Sequence, residues 1–342
     1  IEAFRKACPG YKILVTFFSP SGYEIRKNYP GADYIFYLPP DTPRNVRRFM
    51  AIVRPKIAVF VKYEFWVNYL LAMKRAGTKL YLISSIFRDG QIFFRPYGGL
   101  FRSALRAFRH IFVQNDSSRN LLKSIGIEQV SVAGDTRFDR VYEIAQQAKR
   151  LPEIERFAAD APVFIAGSTW PPDEELLVGL IERYPDVKFI VAPHEIDPAR
   201  IEKFCERISR PALRYTQLTP QSDLAAAGVL FVDTIGILSS VYRYGRWGYI
   251  GGGFGAGIHN TLEAATFGLP LAFGPRYGKF REARDLVTLR GAASIASAEE
   301  LERWFAGLHD DPDATGRSGT ICKEYVLQHK GATARIMDEI CR

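Results

Sequence analysis

The sequence predicts an α/β protein built from two Rossmann-like domains in tandem, each an open, doubly wound parallel sheet. Three observations lead there. Short apolar runs rich in Val, Ile and Phe alternate with helical patterns along the chain. Those runs read apolar on both faces, as parallel strands covered by helices do. The 342 residues also suffice for two cores, since a domain takes roughly 100–200 residues. Repeated βαβ units close into such sheets with right-handed crossovers.

The elements follow in order. Residues 1–9 read as the end of a helix closed by Pro9-Gly10. Strands are expected at 12–17, 33–38, 57–61, 79–83 and 111–113, with a sixth at 130–132. A helix at 42–52 shows the intervening pattern. A charged helical stretch at 138–150, Leu151-Pro152 and an acidic helix to Asp160 separate this series from a second. The boundary is expected near 150–160, giving domains 1–150 and 151–342. Second-series strands are expected at 163–166, 188–191, 229–232, 247–250, 270–273 and 292–295. Helices fall at 174–183, 198–208 and 261–267. The last segment, 321–342, reads as one helix packing back on the first domain. Two such sheets are expected to face each other across a cleft at their carboxyl ends, where ligands bind.

Composition removes several classes. Hydrophobic residues make up 47% and charged residues 24%, which excludes disorder and fibrous repeats. No apolar run approaches the roughly 18–20 residues that span a bilayer. Cys8, Cys205, Cys322 and Cys341 form no CxxC pair, which fits reduced thiols in a cytoplasmic protein. No metal-ligand spacing occurs, so no metal and no cofactor are expected. Neither a GxSxG elbow nor a P-loop is present. Charge is uneven. Residues 1–150 carry 25 Lys/Arg against 11 Asp/Glu, and the remainder 21 against 26. The basic half suggests an anionic partner, or a soluble protein with an arbitrary basic face. The basic residues are spread over loops and helices without a nucleic-acid motif, so nucleic acid is not expected.

The most informative stretch runs from Gly251 to Ala265. A strand enters the loop Gly251-Gly252-Gly253-Phe254-Gly255-Ala256-Gly257, and a helix follows. Glycines let a phosphate come close, and helix-start amides face an anion. Asn260 and Glu263 share one face of the first turn, where a carboxylate accepts ribose hydroxyls. The alternative is a glycine-rich turn with an N-cap Asn and a first-turn Glu. Gly167-Ser168-Thr169 follows a strand, with Ser168 a phosphate or sugar ligand or part of a capping box. Asp233-Thr234-Ile235-Gly236 follows another strand, holding a phosphate or base edge or simply capping a helix. His194 and His259 are the histidines in cleft loops. In the basic half, Ser19-Pro20-Ser21-Gly22, Lys62-Tyr63-Glu64-Phe65-Trp66 and 83–88 follow strands. Glu64 is the one acid between Asp41 and Asp89, while Trp66 reads as core. Basic and aromatic residues cluster from Arg88 to Arg109. They suit either a lipid headgroup zone or a solvated helix packed by its aromatic stripe.

In order along nearly the whole chain, these motifs resemble the 3-deoxy-D-manno-octulosonic acid (Kdo) transferase family. The resemblance rests on 17–22, Tyr37-Leu38-Pro39-Pro40-Asp41, and Glu64, Trp66 and Asn68. It continues through Gly134-Asp135-Thr136-Arg137-Phe138-Asp139, Gly167-Ser168-Thr169, Asp233-Thr234-Ile235-Gly236 and His259-Asn260-Thr261-Leu262-Glu263. Departures are Lys62 for a Glu, Arg137 for a Lys, Trp170 for a His and Pro193 for an Arg.

The resemblance implies a GT-B fold and inverting, metal-independent transfer of Kdo from CMP-Kdo to a lipid A precursor. That work belongs at the cytoplasmic face of the inner membrane, an anionic surface, in lipopolysaccharide synthesis. Ser168, Thr169, His194, Ile235, Gly236, Gly251, Gly252, Gly253, Asn260 and Glu263 would face the donor. Ser19, Ser21, Gly22, Lys62 and Arg88 would face the acceptor, with Glu64 and Arg137 in catalysis. The family's general base is a Glu in a Ser-Val-Gly-Glu segment near a membrane anchor. This chain starts after that point and is expected to be an inactive N-terminal truncation. The alternatives are another GT-B nucleotide-sugar enzyme, such as a UDP-sugar transferase or epimerase, and a non-catalytic two-lobed binding protein.

Overall fold

A computed structural model describes residues 1–341. The chain divides into two compact units, one of Ile1–Asp139 plus the segment from His329 onward, the other Arg140–Gln328.

In the first unit, β1 (Leu14–Phe17) pairs in parallel with β2 (Tyr34–Tyr37). A separate four-stranded sheet takes β3 (Ile57–Val61), β4 (Lys79–Ser85), β5 (His110–Val113) and β6 (Val130–Val132) in sequential order. All its pairings are parallel. Leu70, Leu80, Leu82, Leu105, Ile111 and Val113 are its buried centre. The β1–β2 pair is less covered, with Tyr34 and Phe36 exposed.

The second unit holds one seven-stranded parallel sheet. Its strands are β7 (Val163–Thr169), β8 (Lys188–Pro193), β9 (Ala212–Arg214), β10 (Val229–Phe231), β11 (Trp247–Ile250), β12 (Leu271–Phe273) and β13 (Ala292–Ser294). Their spatial order is β13-β12-β11-β7-β8-β10-β9. Helices on the sheet bury Phe164, Phe189, Phe231, Trp247 and Phe305. Each such side chain contributes about 1.5–3 kcal/mol on burial. The Trp247 indole N–H also finds Thr315 Oγ1 at 3.0 Å, as a buried indole must.

The first unit carries two separate parallel sheets, the larger in sequential order, where the sequence expects one doubly wound sheet, and three further differences have physical causes. The units divide at Asp139/Arg140, upstream of 150–160. Residues after 140 are tied into the second unit: Lys149 N donates to Ser240 Oγ, and Leu151 N to the Tyr244 hydroxyl. The edge strand β9 escapes a pattern reading because it has three residues and pairs only with β10. The C-terminal segment is two helices, Pro312–His329 and Ala332–Ile340, broken at Gly331 with φ +101°. Ile336 and Ile340 of the second helix are buried against Tyr81, Phe112 and Ala133 of the first unit.

Candidate functional site

In the second unit the chain lays down β7 and β8, continues through β9 and β10 on that side, then crosses to β11 on the other side of β7. The order therefore reverses between β7 and β11. Open α/β sheets bind ligands outside the carboxyl ends of the strands at such a point. Here Ile250 pairs with Gly167, and Gly251 N donates to Gly167 O at 2.9 Å. The topology thus brings Gly167-Ser168-Thr169 beside the glycine-rich loop.

Ser168 adopts the left-handed conformation (φ +56°) and shifts the β7–β8 register. A non-glycine residue held there marks a constrained turn. Thr169 is fully buried and its hydroxyl donates to Glu174 Oε1 at 2.9 Å. It therefore braces the turn, where the sequence expects it to face the donor. Burial pushes the Glu174 carboxyl up, with Thr169 and Arg200 acting the other way.

The three glycines opening the loop are also buried. A Cβ on Gly251 would lie 2.2 Å from Ser168 O, and one on Gly253 2.5 Å from Gly274 Cα. Gly252 combines φ +92° with Gly257 O at 2.6 Å from that position. The room these glycines leave is filled by protein backbone. That gives the glycines a packing role beside the donor role the sequence expects of them.

Asp173 organises the loops. It sits at the third position of the helix Pro171–Arg183 and is fully buried. Its carboxylate accepts from Trp170 N (2.9 Å), the Tyr249 hydroxyl (2.8 Å) and Gly252 N (2.9 Å). One side chain thus joins the ends of β7 and β11. Above it three rings stack, Trp170 on His194 at 4.9 Å and His194 on His259 at 4.2 Å. Trp170 Nε1 donates to His259 Nε2 at 3.0 Å, so that nitrogen is an acceptor and the His259 proton sits on Nδ1. Burial and neighbouring His194 hold His259 below the usual histidine range.

Asn260 Nδ2 donates to Glu263 Oε1 at 2.9 Å, and Asn260 Oδ1 accepts from Leu262 N at 3.2 Å. That amide is already taken, and the helix Leu262–Thr266 has five residues. A helix of that length offers an anion little dipole. Burial pushes the Glu263 carboxyl above its ordinary range, and Asn260 pulls it partly back. A half-buried, poorly solvated carboxylate of this kind is a strong acceptor for paired hydroxyls. Ile235 and Gly236 lie past the end of β10, two strands from β7, with Ile235 89% exposed. Asp233 before them is spent on β9 and the turn after it. It accepts from Arg214 Nε (2.9 Å) and from the backbone and hydroxyl of Thr216. Burial pushes its carboxyl up, but those bonds outweigh it and leave it low.

Sequence reasoning missed Arg276. Its peptide N donates to Gly253 O and its guanidinium to Gly255 O, clasping the glycine loop from the β12 side. The signal available was Gly274-Pro275, a break straight after a strand.

In the first unit, Asp135 is buried and accepts from Arg137 N, Arg137 Nε (2.8 Å) and Gln114 Nε2 (2.9 Å). The Arg137 guanidinium is thereby fixed at the carboxyl end of β6. Ser84, left-handed at φ +52°, meets Thr136 Oγ1 at 3.2 Å. Arg88 follows on an exposed loop, its peptide N donating to Gln91. A second group forms around the ends of β1 and β3. Ser19 and Ser21 hydroxyls lie 2.7 Å apart, and Gly22 packs over Phe17. Phe18 lies 4.7 Å from the Trp66 ring, whose N–H donates to the exposed Glu64. Lys62, left-handed at φ +58°, is fixed by its N–H to Ile83 O.

Residues 1–140 match the family described as 3-deoxy-D-manno-octulosonic-acid transferase (kdotransferase). The chain is similar to the 3-deoxy-D-manno-octulosonic acid transferase of Haemophilus influenzae, 24% identical across 99% of this chain and 82% of that protein. With the enzyme of the same name from Bordetella pertussis it is 25% identical, covering 89% of this chain and 73% of that one. A solved UDP-GlcNAc 2-epimerase from Neisseria meningitidis shares the fold, with TM-score 0.66 and 15% identity over 99% of this chain and 96% of that chain. The resemblance read from the motifs is borne out, and so is the GT-B class of fold.

Proposed function

We propose that this relative of the Kdo transferases is a glycosyltransferase of lipopolysaccharide synthesis, moving Kdo from CMP-Kdo to a lipid A precursor. One observation carries the reading. The motifs singled out for the donor, Gly167-Ser168-Thr169 and 251–263, meet at the β7/β11 switch point of the second unit. In this reading Glu263, oriented by Asn260, accepts the ribose hydroxyls of CMP. Ser168, left-handed at the end of β7, offers its hydroxyl to the phosphate. The ring stack of Trp170, His194 and His259 forms one wall.

The chemistry needs a base for the acceptor hydroxyl and positive charge for the departing phosphate. The acceptor hydroxyl passes its proton to the general base as its oxygen attacks the anomeric carbon of Kdo, the carbon–oxygen bond to phosphate breaks, and CMP leaves with inversion. Arg137, fixed by Asp135, is assigned to the developing negative charge. Ser19, Ser21, Gly22, Lys62, Glu64 and Arg88 are assigned to the acceptor side. The cytoplasmic face of the inner membrane is the site of action in this proposal. Arg102 is spent on the Phe93, Arg95 and Pro96 carbonyls, while Tyr97 and Leu100 beside it stand exposed. Those exposed apolar side chains suit contact with a lipid surface, with Arg102 bracing the turn that presents them. Fold likeness to epimerases does not assign chemistry.

Calorimetry of CMP against wild type and Glu263→Ala tests the ribose assignment. Loss of hydrogen bonds to a charged acceptor, about 1.5–3 kcal/mol, weakens binding at least tenfold. Equal affinities would sink it.

A further inference from the structure

Two of the four cysteines, 333 positions apart in sequence, meet in the first unit. Cys8 closes the first helix, Glu2–Ala7, and Cys341 closes the last, Ala332–Ile340. Their sulfurs lie 2.9 Å apart. The approach is built into the packing. Phe4 of the first helix and Ile336 and Ile340 of the last share one apolar cluster with Tyr81 and Phe112. Both thiols reach solvent, Cys8 half-buried and Cys341 exposed. The other two differ. Cys322 is buried with its thiol on Gly291 O, and burial pushes it up to about 12. Cys205 is partly buried, lies in the second unit and is likewise pushed up by burial.

We infer that Cys8 and Cys341 are a thiol pair that closes reversibly into a disulfide, clamping the last helix to the first. A disulfide needs sulfurs about 2.05 Å apart, a small side-chain movement from the present separation. The oxidant is a small-molecule disulfide such as oxidised glutathione. The Cys8 thiolate attacks one of its sulfurs, and one small thiol leaves. The Cys341 thiolate then attacks the Cys8 sulfur of the mixed disulfide. The Cys8–Cys341 bond forms and the second small thiol leaves. Two electrons pass to the oxidant, and the two protein thiol protons end on the released thiols. The bridge encloses nearly the whole chain, so it constrains the unfolded state strongly.

The test treats the full chain with oxidised glutathione at mildly alkaline pH, then digests it with trypsin under non-reducing conditions. The expected product joins peptide 7–12 to peptide 336–342. It disappears on reduction, is absent from Cys8→Ser and persists in Cys205→Ser. It also forms faster in the folded chain than in urea, because folding prealigns the pair. Separate glutathione adducts on Cys8 and Cys341 without a cross-link would overturn the inference. So would a cross-link forming no faster in the folded chain than in urea.

Discussion

Asp173 carries no exposed surface, yet three donors from two strand ends converge on its carboxylate. Replacing it with Asn keeps the shape but turns one acceptor oxygen into a donor facing another donor. That leaves a buried group unpaired, at a cost of about 1–3 kcal/mol. Asp173→Asn is therefore expected to lower the thermal midpoint by several degrees and to weaken CMP, while Asp173→Glu fails on packing. Unchanged CMP affinity in a folded Asp173→Asn chain would remove its role in shaping the site. Glu263 makes a different prediction, in pH. Its carboxyl is raised by burial. In the proposed reading it accepts both ribose hydroxyls at full strength when ionised, so CMP affinity is expected to be full above its raised pKa and to fall as pH drops through it. Glu263→Gln flattens that limb in a calorimetric pH series. In the unliganded chain the sign is the usual one for a raised acid. The stability from the neutral form is present below the ordinary carboxyl range and lost as pH rises through the folded value. The glycines, Ser168, Asn260 and Glu263 were legible because local spacing marks them. Asp173 carries no such local mark. Its partners Tyr249 and Gly252 lie 76 and 79 positions away, beyond any local pattern.

Elements were legible where they were regular. Apolar runs announced twelve strands at nearly their observed places, because buried parallel strands are apolar on both faces. The pattern stopped short at the ends of β4 and β7, where left-handed Ser84 and Ser168 extend the strands by an irregular turn. It gave no sign of β9, whose three residues gain their place from β10 and from the Arg214–Asp233 ion pair. The C-terminal break was equally hidden. Gly331 sits at φ +101°, and its N–H donates to Asp139 Oδ1, as does that of Thr333 to Oδ2. Gly331→Ala forces a side chain into that region at about 1–2 kcal/mol. The expected result is a lower thermal midpoint with faster proteolysis of the last helix. An unchanged midpoint would show that this turn relaxes without strain.

At the scale of the molecule, the basic charge and the candidate donor loops fall in different parts of the chain. The basic excess lies in the first 150 residues, and the candidate donor site lies in the unit Arg140–Gln328. A sheet order that reverses between β7 and β11 was not legible, because strand order is set by packing and not by local pattern. The positions of the donor motifs were legible, and the fold supplies the reason they meet. The central claim is that this site takes a cytidine monophosphate sugar. It is tested most directly by titrating the whole chain with CMP, UDP and UDP-GlcNAc in one calorimetric series. The account predicts that CMP binds and that both uridine nucleotides bind about tenfold more weakly or worse, a difference of about 1.4 kcal/mol. Tighter binding of UDP-GlcNAc than of CMP, or no nucleotide binding at all, would contradict it.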